Sequence, residues 1–443
     1  MAAKAKSIQR LAPRLVVPAE PTPAGHLRLS WLDRYPTQMA LIESLHVFKA
    51  KPAADKSVIA ASPARTIERA LARALVHYYP LAGRLVLSDA GDAQQLAVDC
   101  SNAGVWFTEA AAACTLADVD HLEAPLAVPK DELLPPTPTP AQEEDVRRLI
   151  LLVQVTAFAC GGFVVGFRTS HAVADGTGAA QFMNAVGELA RGDGTTTVSV
   201  APQWGRDAIP DPAGAVVVGA LPTPEGAKRL EYLQIDVSAR HIAHLKAQYN
   251  AAHGGLGGWC SAFEVLIAKA WRSRTRAARF DPDSTVHVCF AVNARPLLLP
   301  ARGAGFYGNC YYITRVSAPA GKVAGSSVAE VVRLVKDGKR RMPAEFARWA
   351  AGEMAGDGVD PYQVTSDYRT LLVSDWTRLG FAEVDYGWGP PAHVVPLTNL
   401  DYVSTCILVK PWADKPGARL VTQCVTADRV AAFHQGMLDM MSS

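Results

Sequence analysis

The sequence predicts an α/β protein with two domains. A chain of 443 residues exceeds what one hydrophobic core usually fills, so two domains of roughly 200 residues each are expected. Apolar residues make up 49% of the chain and charged residues 19%, as in proteins with a large buried core. Helical and strand-like apolar patterns alternate through the first half and recur in the second.

The helices of the first half are predicted from their apolar spacing. A helix over 62–76 follows from Ile67, Leu71 and Leu75, which share one helical face. A second helix is predicted over 179–190, after a glycine-rich start.

The run 149–167 is nearly all apolar and about as long as a membrane span. Gln154 and Thr156 interrupt it, and Gly161-Gly162 divides it in two. Two buried strands joined by a Gly-Gly turn are therefore predicted, and no membrane span. The N-terminus lacks the apolar core of a secretory signal, so a cytoplasmic location is expected.

Residues 192–218 are rich in Gly, Thr and Pro and show little periodicity. They are predicted to form a crossover loop between an N-terminal domain of residues 1–191 and a C-terminal domain of residues 219–443. The second half contains strand patterns near 230–237, 285–292, 311–316 and 406–409 and a helical pattern over 239–249. A further helix is predicted to begin at Ser261, because Ser261 and Glu264 form a capping-box pattern.

Charge and cysteine content exclude several classes of protein. The net charge of +2 indicates neither a nucleic-acid partner nor electrostatic binding to a membrane. The eight cysteines include no C-x-x-C pair, which is typical of reduced thiols in an intracellular protein. No ligand spacing predicts a structural zinc site, so no metal is expected.

The most informative motif is His171-Ala172-Val173-Ala174-Asp175-Gly176. A histidine can remove a proton from an alcohol near neutral pH, because its ordinary pKa is about 6.5. The carboxylate four residues later is a candidate partner for the imidazole. One such pair can arise by chance in a long chain, so this spacing alone does not establish a site.

A second motif, Asp385-Tyr386-Gly387-Trp388-Gly389, lies in the C-terminal half. His-x-x-x-Asp followed by Asp-Phe-Gly-Trp-Gly is typical of the plant BAHD family of acyl-CoA-dependent acyltransferases, which this chain resembles from end to end. Tyr386 stands where the family usually has Phe. Further segments that resemble the family are Leu29-Ser30-Trp31-Leu32-Asp33, Tyr79-Pro80-Leu81-Ala82-Gly83-Arg84, Ser261, Asn293-Ala294-Arg295 and Tyr307-Gly308-Asn309.

The resemblance implies two domains like chloramphenicol acetyltransferase, each a mixed sheet with helices, and a channel between them. Acyl-CoA would enter as co-substrate from one face and a small alcohol from the other, and no permanently bound cofactor is expected. A segment near the second motif is expected to cross back to the first domain. The family also implies a monomer with no macromolecular partner.

Within that resemblance, His171 is expected to be the general base that deprotonates the alcohol. Asp175 either orients the imidazole or has a structural role in an ion pair with Arg295, and the family favours the second reading. Gly176 is expected to let the chain turn sharply into the following helix.

The remaining site residues each have two readings. Asp385 is expected to hold a tight turn, with a catalytic role as the alternative. The indole N–H of Trp388 either donates to the developing oxyanion or is buried in packing. Ser374 and Trp376 are expected beside the reacting acyl group, with simple packing as the alternative. Ser261 either binds a CoA phosphate or only caps its helix.

The activity expected from the resemblance is transfer of a hydroxycinnamoyl group, such as p-coumaroyl or feruloyl, to an alcohol. The prediction of a monolignol acceptor depends only on residues 29–33, which are similar to the corresponding segment of grass hydroxycinnamoyl-CoA transferases and taxane acyltransferases. Three alternatives stay open: an acetyl or benzoyl donor with a terpenoid alcohol, N-acylation of an amine, and a non-catalytic binding protein. Condensation domains of peptide synthetases are less similar, since Ser170 stands where their first histidine lies.

Overall fold

The computed structural model describes residues 7–51, 62–90, 93–138, 142, 144–192, 197–211, 226–253, 258–299, 305–353, 361–362, 367–397, 400, 402–412 and 415–440. It has a mixed α/β architecture with two large sheets and one small one.

The elements of the first half are β1 (Ile8–Arg10), β2 (Arg14–Val16), β3 (His26–Arg28), β4 (Leu41–Phe48), α1 (Pro63–His77), β5 (Arg84–Ala90), β6 (Ala93–Asp99), β7 (Val105–Ala112), α2 (Lys130–Leu133), β8 (Leu151–Phe158), β9 (Phe163–Ser170) and α3 (Gly176–Arg191). Those of the second half are β10 (Tyr232–Ser238), α4 (Ala239–His253), α5 (Ala262–Ala278), β11 (Thr285–Asn293), α6 (Arg295–Leu298), β12 (Tyr311–Pro319), α7 (Ala320–Gly325), α8 (Val328–Ala350), β13 (Thr370–Asp375), β14 (His393–Pro396), β15 (Ser404–Val409), β16 (Gly417–Gln423) and α9 (Val430–Leu438).

The first large sheet has the strand order β1-β7-β8-β9-β4-β14, with β2 also paired to β7. The pair β7–β8 is parallel and its other pairs are antiparallel. Strand β14 follows the second motif in sequence, yet it pairs with β4 in this sheet. The return of the chain that the family resemblance implies is therefore present. Helices α1 and α3 pack on each other and bury their apolar faces in the same core as β8 and β9.

The second large sheet has the order β10-β16-β15-β13-β11-β12. Strand β13 is parallel to both of its neighbours, and the remaining pairs are antiparallel. Helix α5 packs against α8 and α9 and buries Trp271 completely in a second core. Strands β3, β6 and β5 form the small sheet.

Most predicted elements of the first 190 residues are confirmed, although some boundaries differ. The Ser62 side chain accepts a hydrogen bond from the backbone N–H of Arg65, so α1 begins at its predicted cap. The apolar run 149–167 is a pair of antiparallel strands, as predicted. Helix α3 begins three residues before the predicted start, because the Asp175 side chain caps it and accepts from the Gly178 N–H.

The longest helix of the described residues, α8, is absent from the sequence prediction. The domain boundaries at 191 and 219 stay a prediction, because residues 193–196 and 212–225, in and next to the expected crossover loop, lie outside the described residues. In the described part of the chain, no helix has the length and apolar character needed to cross a membrane. All eight cysteines are free thiols, and Cys160 is exposed.

Capping of α8 gives a test of the fold. Ser327 accepts from the Glu330 N–H while the Glu330 carboxylate accepts from the Ser327 N–H. We expect Ser327→Ala to lower the free energy of unfolding by about 1 kcal/mol, since one helix N–H loses its acceptor. Urea denaturation followed by circular dichroism measures the change. Ser326→Ala is the matched control, and an equal loss in both variants would contradict the capping explanation.

Candidate active site

His171 lies in the connection between β9 and α3, where the two large sheets face each other. Its backbone N–H donates to the carbonyl of Ala40 at 3.1 Å, which ties the connection to the start of β4. The side chain lines a cavity of about 250 Å³. Residues of β4 and β9 from the first sheet and of β11, β12, β13 and β15 from the second also line this cavity. The candidate base is thus placed at an opening between the two large sheets.

The electrostatic surroundings of His171 favour the neutral imidazole. Burial lowers the pKa of His171 below its ordinary value, and the Asp175 charge, the His171 carbonyl and the Asn309 side chain offset part of that effect. The Nδ1 atom is buried, so Nε2 is the ring nitrogen available to a ligand in the cavity. A neutral imidazole can accept a proton, which a general base requires.

Asp175 is held by Arg295 in a buried, bidentate ion pair. Arg295 Nη1 lies 2.7 Å from Oδ2 and Nη2 lies 2.9 Å from Oδ1. The carboxylate also accepts from the backbone N–H groups of Gly178 and Cys310, each at 3.0 Å. Both carboxylate oxygens are therefore engaged away from the imidazole. This geometry agrees with the structural reading of Asp175, and not with the reading in which it orients His171.

A second buried ion pair, between Asp33 and Arg206, also holds the connection between β9 and α3. Arg206 Nε lies 2.8 Å from Asp33 Oδ2, and Arg206 Nη2 donates to the carbonyl of Val173 at 2.8 Å. Asn309 donates through Nδ2 to Asp33 Oδ1 and to the carbonyl of His171, both at 2.8 Å. The backbone at His171 and at Val173 is thus bonded to side chains far away in sequence.

Sequence reasoning did not assign these supporting residues to the site. Asp33 and Asn309 stood in segments that resemble the family, which was the only signal for them. Arg206 lies in the segment predicted as a crossover, where nothing in the local pattern marks a buried cation.

Ser374 and Trp376 both line the cavity, as expected. The indole N–H of Trp376 donates to Ser374 Oγ at 3.1 Å. Because Oγ accepts this bond, the hydroxyl proton of Ser374 is available to an oxygen in the cavity. The Trp376 ring packs on Phe381, with ring centroids 4.9 Å apart.

The second motif forms a tight turn outside the cavity. Asp385 Oδ1 accepts from the N–H groups of Gly387 at 2.7 Å and Gly389 at 2.8 Å. Both glycines have a positive φ, 98° and 82°, which other residues rarely adopt. This arrangement agrees with the structural reading of Asp385.

Trp388 is not among the described residues that line the cavity. Its ring packs edge-to-face on Phe163 at a centroid distance of 5.3 Å, and the Lys51 ammonium lies 4.7 Å from its centroid. A hydrogen bond from this indole to an oxyanion beside His171 has no support in this geometry. Packing is therefore the reading of Trp388 that we retain.

Two further residues differ in detail from their expected roles. Gly176 does not have a positive φ, so it is not required for a sharp turn. A Cβ there would lie 2.6 Å from Leu379 Cδ1, so the glycine provides room for a side chain that lines the cavity. Ser261 lies away from the cavity lining, and its hydroxyl accepts from the Glu264 N–H at 3.2 Å. Capping accounts for the contact that Ser261 makes, and a role in CoA binding stays a prediction.

Comparison with known proteins decides the family. The model of the Transferase family, which comprises the BAHD acyltransferases, matches residues 6–440. The chain belongs to this family. Acyl transferase 7 of Oryza sativa subsp. japonica is 69% identical to this acyltransferase over 445 residues and covers 99% of both chains. Myricetin 3-O-glucosyl 1,2-rhamnoside 6'-O-caffeoyltransferase AT2 of Crocosmia x crocosmiiflora is 38% identical, over 98% of this chain and 99% of its own.

Solved structures agree with the fold. Vinorine synthase matches with a TM-score of 0.76 at 20% identity, over 99% of each chain. TRI101 of F. sporotrichioides, solved with coenzyme A and T-2, matches with a TM-score of 0.69 at 16% identity, over 91% of this chain and 96% of its own. The acyltransferase therefore has the two-domain fold like chloramphenicol acetyltransferase that the resemblance implied.

The ion pair between Asp175 and Arg295 gives a second test. Arg295→Met leaves a buried carboxylate without its cation, and we expect it to lower the free energy of unfolding by about 3–5 kcal/mol. The double variant with Asp175→Asn should lose less than the sum of the two single losses, because it removes both charges. Urea denaturation measures all three variants.

Arg341→Met is the control, since it breaks an exposed pair with Glu345 and should cost less than about 1 kcal/mol. Strictly additive losses at 175 and 295 would contradict the coupling. Burial raises the pKa of Asp175, but Arg295 and two backbone N–H groups lower it more, so the net shift is downward. The stabilisation is thus present above about pH 4 and is lost as the pH falls through the folded-state pKa.

The lowered pKa of His171 predicts the pH dependence of the reaction. A general base at His171 must be neutral to accept a proton, so in that role kcat/KM should be constant above about pH 6.5 and fall at lower pH. Initial rates of CoA release between pH 5 and 9 measure the profile. An inflection above pH 7 would contradict the burial argument, and Asn309→Ala, which removes an effect that raises this pKa, should shift the inflection to lower pH.

Proposed function

We propose that this acyltransferase moves a hydroxycinnamoyl group, such as p-coumaroyl or feruloyl, from CoA to a neutral alcohol, with a monolignol as the acceptor class. The observation that carries the proposal is the lining of the cavity at His171. Trp376, Phe381, Leu379, Ile407 and Met183 form much of its wall, and Ser44 adds a buried hydroxyl. This apolar and aromatic part of the wall suits a flat aromatic acyl group.

The relatives support the donor class. A caffeoyltransferase is 38% identical to this chain over nearly its whole length, and caffeoyl is itself a hydroxycinnamoyl group. The complex of TRI101 with coenzyme A supports acyl-CoA as the co-substrate of this fold.

The charges of the cavity argue against an anionic acceptor. Among the described residues that line it, none is Lys or Arg. A carboxylate on the acceptor would be buried there without a cation, which is costly. An uncharged alcohol avoids this cost.

In the proposed mechanism, Nε2 of His171 removes the proton of the acceptor hydroxyl as its oxygen attacks the thioester carbonyl. The tetrahedral oxyanion accepts a hydrogen bond from the Ser374 hydroxyl, which Trp376 orients. The C–S bond then breaks, the ester forms, and the proton on His171 passes to the CoA thiolate. No acyl-enzyme is required, because both substrates lie in the cavity together.

Release of free thiol from a panel of acyl-CoAs tests the proposal. Acetyl-, malonyl-, benzoyl-, p-coumaroyl- and feruloyl-CoA are each mixed with pooled alcohols and the wild-type protein. We expect acceptor-dependent release with the two hydroxycinnamoyl donors and a loss of about 10²–10⁴ in rate for His171→Ala.

The control variant is His434→Ala, which changes an exposed histidine on α9 and should retain the wild-type rate. Release that survives in His171→Ala would remove His171 from the mechanism. A preference for acetyl- or benzoyl-CoA would replace the donor class, and product formation only with amines would replace the acceptor class. The cytoplasmic location and the monomeric state stay predictions.

A further inference from the structure

Three tyrosines, Tyr311, Tyr362 and Tyr402, line the same cavity as His171. Two of their hydroxyl groups are already bonded to the protein. Tyr362 donates to the carbonyl of Tyr311 at 2.7 Å, and the Tyr311 hydroxyl accepts from the Gln38 side-chain amide. Tyr402 lies near this group, since its phenol influences the ionisation of Tyr311. The three tyrosines therefore differ in what they can offer to a ligand.

Tyr402 is the one whose hydroxyl has no hydrogen-bond partner among the described residues. The residue is only 4% exposed, although it lines the cavity. Buried phenols usually have a partner, so a free one in a binding cavity indicates a partner on the ligand. Burial raises the pKa of Tyr402, and the hydroxyl stays protonated and able to donate at neutral pH.

The strand register places Tyr402 away from Ser374. Ser374, expected beside the acyl carbonyl, is paired with Ile407 of β15. Ser404, two residues after Tyr402, is paired with Leu371, which is three residues and about 10 Å from Ser374 along the strand. The Tyr402 ring packs with Leu400 and Leu372 at that far end. Tyr402 is thus separated along the sheet from the position proposed for the acyl carbonyl.

We infer that the Tyr402 hydroxyl binds a hydroxyl group of the acceptor alcohol, remote from the hydroxyl that is acylated. This inference rests on the proposed function for the identity of the two substrates. The bound group is not an anion, because the described lining of the cavity contains no Lys or Arg. A phenolic hydroxyl can both donate a hydrogen bond to the Tyr402 hydroxyl and accept one from it. In a monolignol, this group lies at the opposite end of the molecule from the hydroxyl that is acylated. Tyr402 is therefore a specificity-determining residue.

The test uses Tyr402→Phe, which removes only the hydroxyl and keeps the packed ring. p-Coumaryl alcohol and cinnamyl alcohol are the probes, since they differ only in the phenolic hydroxyl. Isothermal titration should show that wild type binds p-coumaryl alcohol more tightly. Tyr402→Phe should weaken binding of p-coumaryl alcohol about three- to tenfold and change that of cinnamyl alcohol less than about twofold.

The control variant is Tyr232→Phe, whose hydroxyl donates to the carbonyl of Pro396 away from the cavity lining. It should change the affinity for neither alcohol. Equal weakening of both alcohols by Tyr402→Phe, or no weakening of either, would overturn the inference. So would a Tyr402→Phe enzyme that loses its preference for p-coumaroyl-CoA over cinnamoyl-CoA, because the hydroxyl would then bind the acyl group.

A different experimental result would show that the proposed function is wrong. The wild type would then bind p-coumaryl alcohol in a Tyr402-dependent way and still release no CoA from any of the five donors. Wild type that binds the two alcohols equally would overturn the inference alone, whatever the turnover shows.

Discussion

The structure around the candidate base depends on the buried ion pair between Asp175 and Arg295. Asp175 ends the connection that carries His171 and caps α3, whereas Arg295 begins α6 after β11 of the other sheet. One carboxylate thus joins the two sheets and orders the helix that follows the base. Removing either partner leaves a buried charge unpaired, which is far more costly than the pair itself is stabilising.

The Asp33–Arg206 pair has a complementary effect on the same connection. Arg206 donates to the carbonyl of Val173, and Asn309, which is bonded to Asp33, donates to the carbonyl of His171. Among the described residues, no carboxylate accepts a hydrogen bond from the buried Nδ1 of the imidazole. The backbone of His171 is held by Ala40 and Asn309, and the lowered pKa of the side chain comes mainly from burial. Backbone hydrogen bonds thus fix where His171 lies, whereas burial sets its pKa.

Local patterns predicted much of the fold. Helix α1, the strand pair β8–β9 and the capping box of α5 follow from spacing and caps within a few residues, and the structure contains them. Helix α8 was missed, because its Pro343 and its basic residues obscure the apolar face that it buries. The return of β14 to β4 was expected only from the family resemblance, since no local pattern states which strand will be its neighbour.

The sequence by itself determined the chemistry available to the site: a histidine and a carboxylate at fixed spacing, and a second motif rich in glycine. Those facts are local, because a motif specifies residue types and backbone turns over a few positions. Only the tertiary structure decided which side chains meet. The fold places Arg206 beside Asp33, which is 173 residues away in sequence. Among the described residues, the Tyr402 hydroxyl in the cavity has no hydrogen-bond partner, and Trp388 packs outside the cavity. Such contacts depend on how the two sheets face each other. The spacing of residues along the sequence does not determine which way a side chain points between the sheets.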